Sequence, residues 1–129
     1  MTIVSRQTVL SVGQCSADTA ALSRLLDSCG AVLVRVDLHS EVASAAARQP
    51  PALILVNRVN DSDGSSGIDC IREIKKDSLL TNVPVMLVSN YADAQSQAVS
   101  AGALPGFGKS ALSDPQTKHK IQQALTSPR

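Results

Sequence analysis

Five short apolar runs, each followed by a segment with helical spacing, constrain the fold of this chain more than any other feature of its sequence. Strands joined through intervening helices are laid down in parallel by right-handed crossovers. The runs are nearly continuous in apolar residues, as in 52–56, which is typical of strands buried on both faces of a sheet. The sequence therefore predicts an α/β fold, a doubly wound (βα)5 sandwich around a five-stranded parallel sheet.

The spacing of apolar residues also predicts where each element lies. Strands are predicted at 8–12, 32–36, 53–56, 83–88 and 104–108, and helices at 17–28, 40–48, 68–76, 92–101 and 117–125. The triplet Ser113-Asp114-Pro115 supplies a cap and a first-turn proline for the last helix. We interpret residues 1–129 as one domain with a core over about 8–125.

Composition argues against several classes of partner. The formal net charge is +1 and only 18% of residues are charged, so there is no basic surface to attract nucleic acid or a membrane. The longest apolar stretches are far shorter than the roughly 20 residues that span a bilayer. Cys15, Cys29 and Cys70 have no metal-ligand spacing and are odd in number. We expect a cytoplasmic protein without a disulfide framework.

Residues at the carboxyl ends of the strands are the candidates for function, because doubly wound sheets bind ligands at that edge. These residues are Gly13, Gln14, Asn57, Ser89 and Lys109. They do not form a set of acid, base and nucleophile, so the sequence does not indicate an enzyme. Nor do they supply the anionic oxygens that Mg²⁺ prefers, and we expect neither a metal nor a cofactor.

Four segments, PALILVN, VPVMLVSN, AGALPGFGKS and GIDCIREIK, resemble in order and spacing the receiver domain of bacterial response regulators. The resemblance covers roughly 8–125 and implies flavodoxin-like topology. In that family, two acidic residues after the first strand and a phosphoacceptor aspartate after the third hold Mg²⁺. By position, the acidic pair falls on Gly13 and Gln14, and the acceptor falls on Asn57. The chain thus resembles a degenerate receiver, or pseudo-receiver.

Two other family positions are retained and one is altered. Ser89 and Lys109 match the residues that contact the phosphoryl group in receivers, whereas Gly106 stands where the family commonly has an aromatic switch residue. The resemblance implies an atypical stand-alone response regulator of two-component signalling, acting as a phosphorylation-independent protein-interaction module.

The implied partner is a histidine kinase, an output domain or another regulator, with a homodimer as an alternative. Its implied contact surface lies on the fourth helix, fifth strand and fifth helix. The residues expected on that surface are Tyr91, Gln95, Gln97, Lys118 and Gln122.

The same residues are compatible with two other functions. The chain could be a receiver switched by an unconventional signal, or a binder of small anionic ligands through the neutral crevice and Lys109. Alternatively, Lys109 offsets the charge of Asp18, Asp61 or Asp63. The loop at 58–67 is longer than the usual connection in receivers, and its Asp61-Ser62-Asp63-Gly64 is similar to part of a calcium loop.

One further motif is weaker. Asp37-Leu38-His39 is similar to the start of a cobalamin-binding signature, but the glycine that closes that signature is replaced by Val42. We expect His39 to be an exposed residue that precedes a helix.

Overall fold

The computed structural model describes residues 6–126, and within that range strands and helices alternate as the sequence predicts. The longest helix has 13 residues, and none of the helices over 6–126 is long and apolar enough to cross a membrane. The elements in chain order are β1 (Gln7–Val12), α1 (Ser16–Ser28), β2 (Ala31–Val36), α2 (Val42–Arg48), β3 (Leu53–Asn57), α3 (Gly67–Lys76), β4 (Val85–Val88), α4 (Ala92–Ser100), β5 (Leu104–Phe107) and α5 (Pro115–Thr126).

The strands form one parallel sheet in the order β2-β1-β3-β4-β5, which confirms the predicted fold class. In the central register, Leu10 of β1 lies opposite Val34 of β2 and Ile54 of β3. The strand order reverses between β1 and β3, and such a switch point opens a crevice at the carboxyl ends of the two strands. Gly13 and Asn57 are therefore the residues that frame it.

Two apolar layers cover the sheet because successive side chains on a strand point to opposite faces. Leu10 and Ile54 pack with α2, α3 and α4, whereas Val9 and Leu55 pack with α1 and α5. Both layers are built on the same strands. The central strands β1, β3 and β4 are buried on both sides over most of their length, as their continuous apolar runs predict, whereas the edge strands β2 and β5 carry exposed residues.

β4 and α2 each begin two residues later than predicted, and the pairing of β5 is irregular. β4 begins at Val85 instead of 83, because the Val83 amide donates to Leu80 O (2.9 Å) in a turn and Pro84 has no amide proton for the ladder. A 3₁₀ turn over His39–Glu41 delays the start of α2 to Val42. The pairing of β5 with β4 shifts register between Met86 and Val88, where β5 carries an extra residue.

A first prediction concerns Cys70, which lies on the buried face of α3 in the core. Burial raises the pKa of its thiol to about 12, and Glu73 adds a smaller effect of the same sign. Since only the thiolate is nucleophilic, an alkylating reagent at pH 8 should label the half-buried Cys15 and Cys29 well before Cys70. Mass spectrometry of the three peptides measures the rates. Equal labelling of Cys70 and Cys29 in the native protein would contradict the packing.

The same pKa shift sets the sign of a pH dependence. The native thiol ionises near 12 and the unfolded thiol near its ordinary value of 9.0. The contribution of Cys70 to stability is therefore present below the unfolded value and is lost as the pH rises from there toward the folded one.

Candidate functional site

Asn57, at the end of β3, is a structural hydrogen-bond donor in this protein. Its side chain is only 8% exposed. Its Nδ2 donates to Gly13 O (3.0 Å) and to Val59 O (2.7 Å). Both acceptors are carbonyl oxygens, and an ionised carboxylate in the same place has no proton to give them. The amide thus ties together the ends of β1 and β3 and the start of the following loop.

Gly13 is required by two features of the β1 end. Its φ of +76° lies in the left-handed region, and a Cβ at this position would come within 3.0 Å of Asn60 Nδ2. Its amide donates to Val36 O (2.9 Å), which closes the end of β2 onto β1. An acidic side chain at this position would have to displace Asn60.

The loop between β3 and α3 folds back over the crevice and places Asn60 inside it. Asn60 is 1% exposed. Its Nδ2 donates to Asp37 O (2.9 Å), and its Oδ1 accepts from Ser62 N (2.8 Å). The next amide, that of Asp61, donates to Gly13 O (2.9 Å). The loop, whose length stands out in the sequence, is therefore fastened to the ends of β1, β2 and β3.

These residues do not suit Mg²⁺. Gly13 has no side chain, Asn57 turns its amide hydrogens toward carbonyl groups, and Asn60 fills the adjacent space. A hard cation needs several oxygen ligands, most of them anionic. Across residues 6–126, no group of three or more His, Cys, Asp or Glu is placed to hold a metal ion. Gln14 is 2% exposed, and neither its Oε1 nor its Nε2 has a hydrogen-bond partner within the described part of the chain.

The two residues that match the receiver pattern are engaged within the domain. Ser89 is buried, and its Oγ accepts from Tyr91 N (3.1 Å). Lys109 Nζ lies 2.7 Å from Asp18 Oδ2, and the hydrogen bond from Lys109 lowers the pKa of that carboxyl. Of the three acidic residues considered as partners of Lys109, Asp18 is the one that pairs with it. This pairing weakens the case for an anionic ligand, because it neutralises the cation that would bind one.

Gly106, at the switch position, lies in the β5 bulge, where no larger residue fits. A Cβ there would overlap Leu87 O. Gln95 reaches over from α4: its Nε2 donates to Leu87 O (2.9 Å), and its Oε1 accepts from Gly106 N (3.0 Å). Lys120 of α5 donates to Gly106 O (3.0 Å). Side chains from two helices thus satisfy the unpaired peptide groups of the bulge.

This arrangement corrects one assignment. Gln95 was expected on an open interaction surface, but it is half-buried and its amide bonds the β4 and β5 backbone. The Pro-Gly pair inside β5 is the sequence signal for a bulge. Of the other residues expected on that surface, Tyr91, Gln97 and Gln122 are exposed and Lys118 is half-buried.

The calcium-like and cobalamin-like segments also take local roles. Asp63 Oδ1 accepts hydrogen bonds from Ser65 N (2.9 Å) and Ser65 Oγ (2.6 Å), and the hydroxyl bond lowers the pKa of Asp63. His39 is half-buried, with its Nδ1 3.3 Å from the same Oγ. The prediction that His39 is exposed is therefore wrong, because the loop at 58–67 folds against it.

Comparison with known proteins identifies the fold of this chain. No protein-family model matches the sequence. No curated protein matches it significantly either. Among solved structures, the signal receiver domain of a DNA-binding response regulator (merR) from Colwellia psychrerythraea 34H is similar, with a TM-score of 0.77 at 18% identity, covering 94% of this chain and 99% of that one.

Two further solved structures resemble the chain to a comparable degree. A response regulator from Thermotoga maritima has a TM-score of 0.76 at 19% identity, covering 95% of this chain and 99% of that one. The receiver domain of NtrX from Brucella abortus has a TM-score of 0.70 at 19% identity, covering 92% of this chain and 99% of that one. At these identities the similarity shows that the chain has the receiver fold.

A second prediction tests the role of the Asn57 amide. Asn57→Asp should lower the free energy of unfolding by about 1–3 kcal/mol at pH 7, because the carbonyl groups of Gly13 and Val59 lose the hydrogen bonds from the amide and face a negative charge, although Gly13 O keeps its bond from the Asp61 amide. The loss should shrink at acidic pH, where a protonated carboxyl can donate one hydrogen bond. Urea unfolding at both pH values measures it. Asn82→Asp, on an exposed residue, is the matched control; equal stability of the two variants would contradict the assigned role.

A third prediction concerns the Lys109 and Asp18 pair, which joins the segment after β5 to α1. A double-mutant cycle with Lys109→Met and Asp18→Asn should give a coupling of about 0.2–1 kcal/mol, since the pair is partly exposed. Because the folded pKa of Asp18 is lowered, the coupling should be present above the unfolded pKa and be lost as the pH falls through the folded one. A coupling of zero at pH 7 would show that the contact contributes nothing.

Proposed function

We propose that this chain is an atypical response regulator, a pseudo-receiver that acts in signal transduction as a protein-interaction module and does not use aspartyl phosphorylation. The observation that carries this proposal is the closure of the crevice by the chain's own loop. Asn60 packs on Gly13, and the Asn57 amide donates hydrogen bonds to the carbonyl groups of Gly13 and Val59. Catalysis in the crevice is not part of the proposed function.

Phosphoryl transfer to a receiver calls for a nucleophilic carboxylate and a bound metal ion. Asn57 offers an amide whose nitrogen donates two hydrogen bonds to backbone carbonyl groups. This arrangement is suited to holding the backbone and not to binding a cation. Ser89 and Lys109 remain as the family pattern has them, but each has an internal partner. The closed crevice thus supports a module whose shape does not depend on phosphorylation.

The proposed recognition is constitutive. The resemblance to receivers implies that, in that family, phosphorylation changes the conformation of the surface formed by α4, β5 and α5. Here Gln95 and Lys120 fasten α4 and α5 to the β5 backbone at Gly106, where a swinging aromatic ring has no place. A surface held in one conformation favours a partner that binds without a prior switch.

The proposed partners are cytoplasmic signalling proteins: a histidine kinase, an output domain or another regulator, with self-association as an alternative. Apart from Gln95 and the half-buried Lys118, the residues that the resemblance implies for the contact surface are exposed to such partners. Tyr91, Gln97 and Gln122 are exposed, as are Val99 and Leu104 nearby on α4 and β5.

A fourth prediction tests phosphorylation independence directly. Amide NMR spectra recorded with Mg²⁺ and then with added beryllofluoride, a mimic of the phosphoryl group, should show no saturable shift at Asn57, Ser89 or Lys109. The expected reason is that Asn57 is an amide and not a carboxylate, and that Asn60 occupies the space beside Gly13. Fluoride with Mg²⁺ alone is the control for non-specific salt effects.

Saturable shifts at those residues that spread into α4 and β5 would overturn the proposal, because they would show a crevice that still binds and switches. Efficient labelling of Asn57→Asp by acetyl phosphate would contradict it in a second way. That variant keeps Gly13, Gln14 and Asn60, so restoring the acceptor alone should leave the site inert.

A further inference from the structure

The loop that seals the crevice also forms one wall of a separate cleft of about 440 Å³, with α4 as the other wall. Ile68 and Ala94, both buried, form its floor. The residues that line the walls are Arg58, Val59, Gly64, Ser66, Tyr91, Asp93 and Gln97. The cleft thus exists because the loop folds back toward β1 and leaves its outer side facing α4.

The loop wall is rigid. Val59 and Ser66 form an antiparallel bridge, in which Asn60 N donates to Ser65 O (2.9 Å) and Gly67 N donates to Arg58 O (2.8 Å). The carbonyl of Val59 is further held by Asn57 Nδ2 (2.7 Å). A wall fixed in this way loses little conformational entropy when a ligand binds, which favours recognition.

Two large apolar side chains are exposed at this cleft. Val59 is 42% exposed and Tyr91 is 61% exposed. Both line the same cavity above an apolar floor. Scattered apolar residues on a surface need no explanation, but apolar residues that converge on one concave site mark a place for an apolar side chain of a partner.

Arg58 gives the cleft its charge preference. Its guanidinium lies over the Tyr91 ring, 4.7 Å from the centroid, and no carboxylate within the described range 6–126 lies at ion-pair distance from it. Stacking holds the planar guanidinium ready for a carboxylate. Asp93, the acidic residue that also lines the cleft, lies in the first turn of α4, where the helix dipole stabilises it, and it forms no ion pair with Arg58. The formal charges of the lining cancel, but the guanidinium of Arg58 has no carboxylate partner among residues 6–126 and is available to pair with one from outside.

We propose that this cleft binds an acidic segment of a partner protein, in which an aliphatic side chain enters between Val59 and Tyr91 while a neighbouring Glu or Asp pairs with Arg58. This inference rests on the proposed function, because it names the class of partner that the interaction module recognises. It places that recognition on the outer side of the loop between β3 and α3, apart from the surface of β5 and α5. Tyrosine and arginine, the two residue types that meet here, are enriched among the residues that dominate binding energy at interfaces.

A fifth prediction tests the cleft with a pair of peptides. We expect acetyl-Leu-Glu-Leu-Glu-amide, titrated to millimolar concentration, to shift the amide NMR signals of Arg58, Val59, Ser66 and α4 in a saturable way. The matched peptide acetyl-Leu-Gln-Leu-Gln-amide should bind about two- to fivefold more weakly, the range expected for a partly exposed ion pair. Absence of saturable shifts with the acidic peptide would overturn the inference.

Three substitutions then separate charge from packing. Arg58→Gln should weaken binding of the acidic peptide to the level of the neutral one. Asp93→Asn should strengthen it, because removing the opposing carboxylate leaves Arg58 unopposed; a gain in affinity cannot come from misfolding. Arg24→Gln, the same change on the exposed face of α1 across the sheet, is the matched control and should have no effect.

The outcomes distinguish the inference from the function on which it rests. Tighter binding of the neutral peptide than of the acidic one, or weaker binding by Asp93→Asn, would refute the charge preference. If the peptides fail to bind while beryllofluoride leaves the crevice unchanged, the cleft inference fails and the phosphorylation-independent module stands. If beryllofluoride binds, the proposed function fails whatever the peptides do.

Discussion

Two hydrogen bonds from one buried amide determine how the carboxyl edge of this sheet is organised. Asn57 donates to the backbone of Gly13 and of Val59, so the ends of two strands and the start of a loop share one side chain. With the start of the loop held there, Asn60 enters the crevice and its own amide reaches Asp37 beyond β1. An acidic residue in place of Asn57 would leave carbonyl groups facing a negative charge. Gly13, Asn57 and Asn60 therefore form one connected neutral arrangement at this edge.

Three further polar side chains, those of Gln95, Lys120 and Lys75, also form their hydrogen bonds with the backbone. Gln95 and Lys120 satisfy the peptide groups of the β5 bulge at Gly106. Lys75 passes its stem beside Gly102, in the turn after α4, and donates to the carbonyls of Thr81 and Val83 (3.1 and 2.8 Å), where burial lowers the pKa of its ammonium group. A buried carbonyl without a donor costs more than the bond itself gains. Such side chains therefore look functional in sequence while acting structurally.

The sequence predicts the architecture well because that architecture follows from apolar periodicity, which every strand and helix repeats along the chain. It predicts the neutral strand ends for a similar reason, since Gly13 and Asn57 directly follow recognisable strands. It does not predict Asn60 in the crevice, because the partners of an asparagine in a loop depend on which strand ends lie beside it in space. The role of Gln95 was missed for a related reason: the Pro-Gly pair of β5 indicates a bulge but not which side chain fills it.

The packing of Asn60 on Gly13 has a consequence for how this chain can change over evolutionary time. One nucleotide change can convert an asparagine codon into an aspartate codon, so an aspartate at position 57 is, on the genetic code alone, one step away. Here that step meets backbone carbonyl groups that accept hydrogen bonds from the Asn57 amide, and a loop whose Asn60 already fills the space beside Gly13. Acidic side chains at this edge therefore require several changes together, each unfavourable while the others are missing. The closed loop favours a carboxyl edge that stays neutral as the sequence drifts.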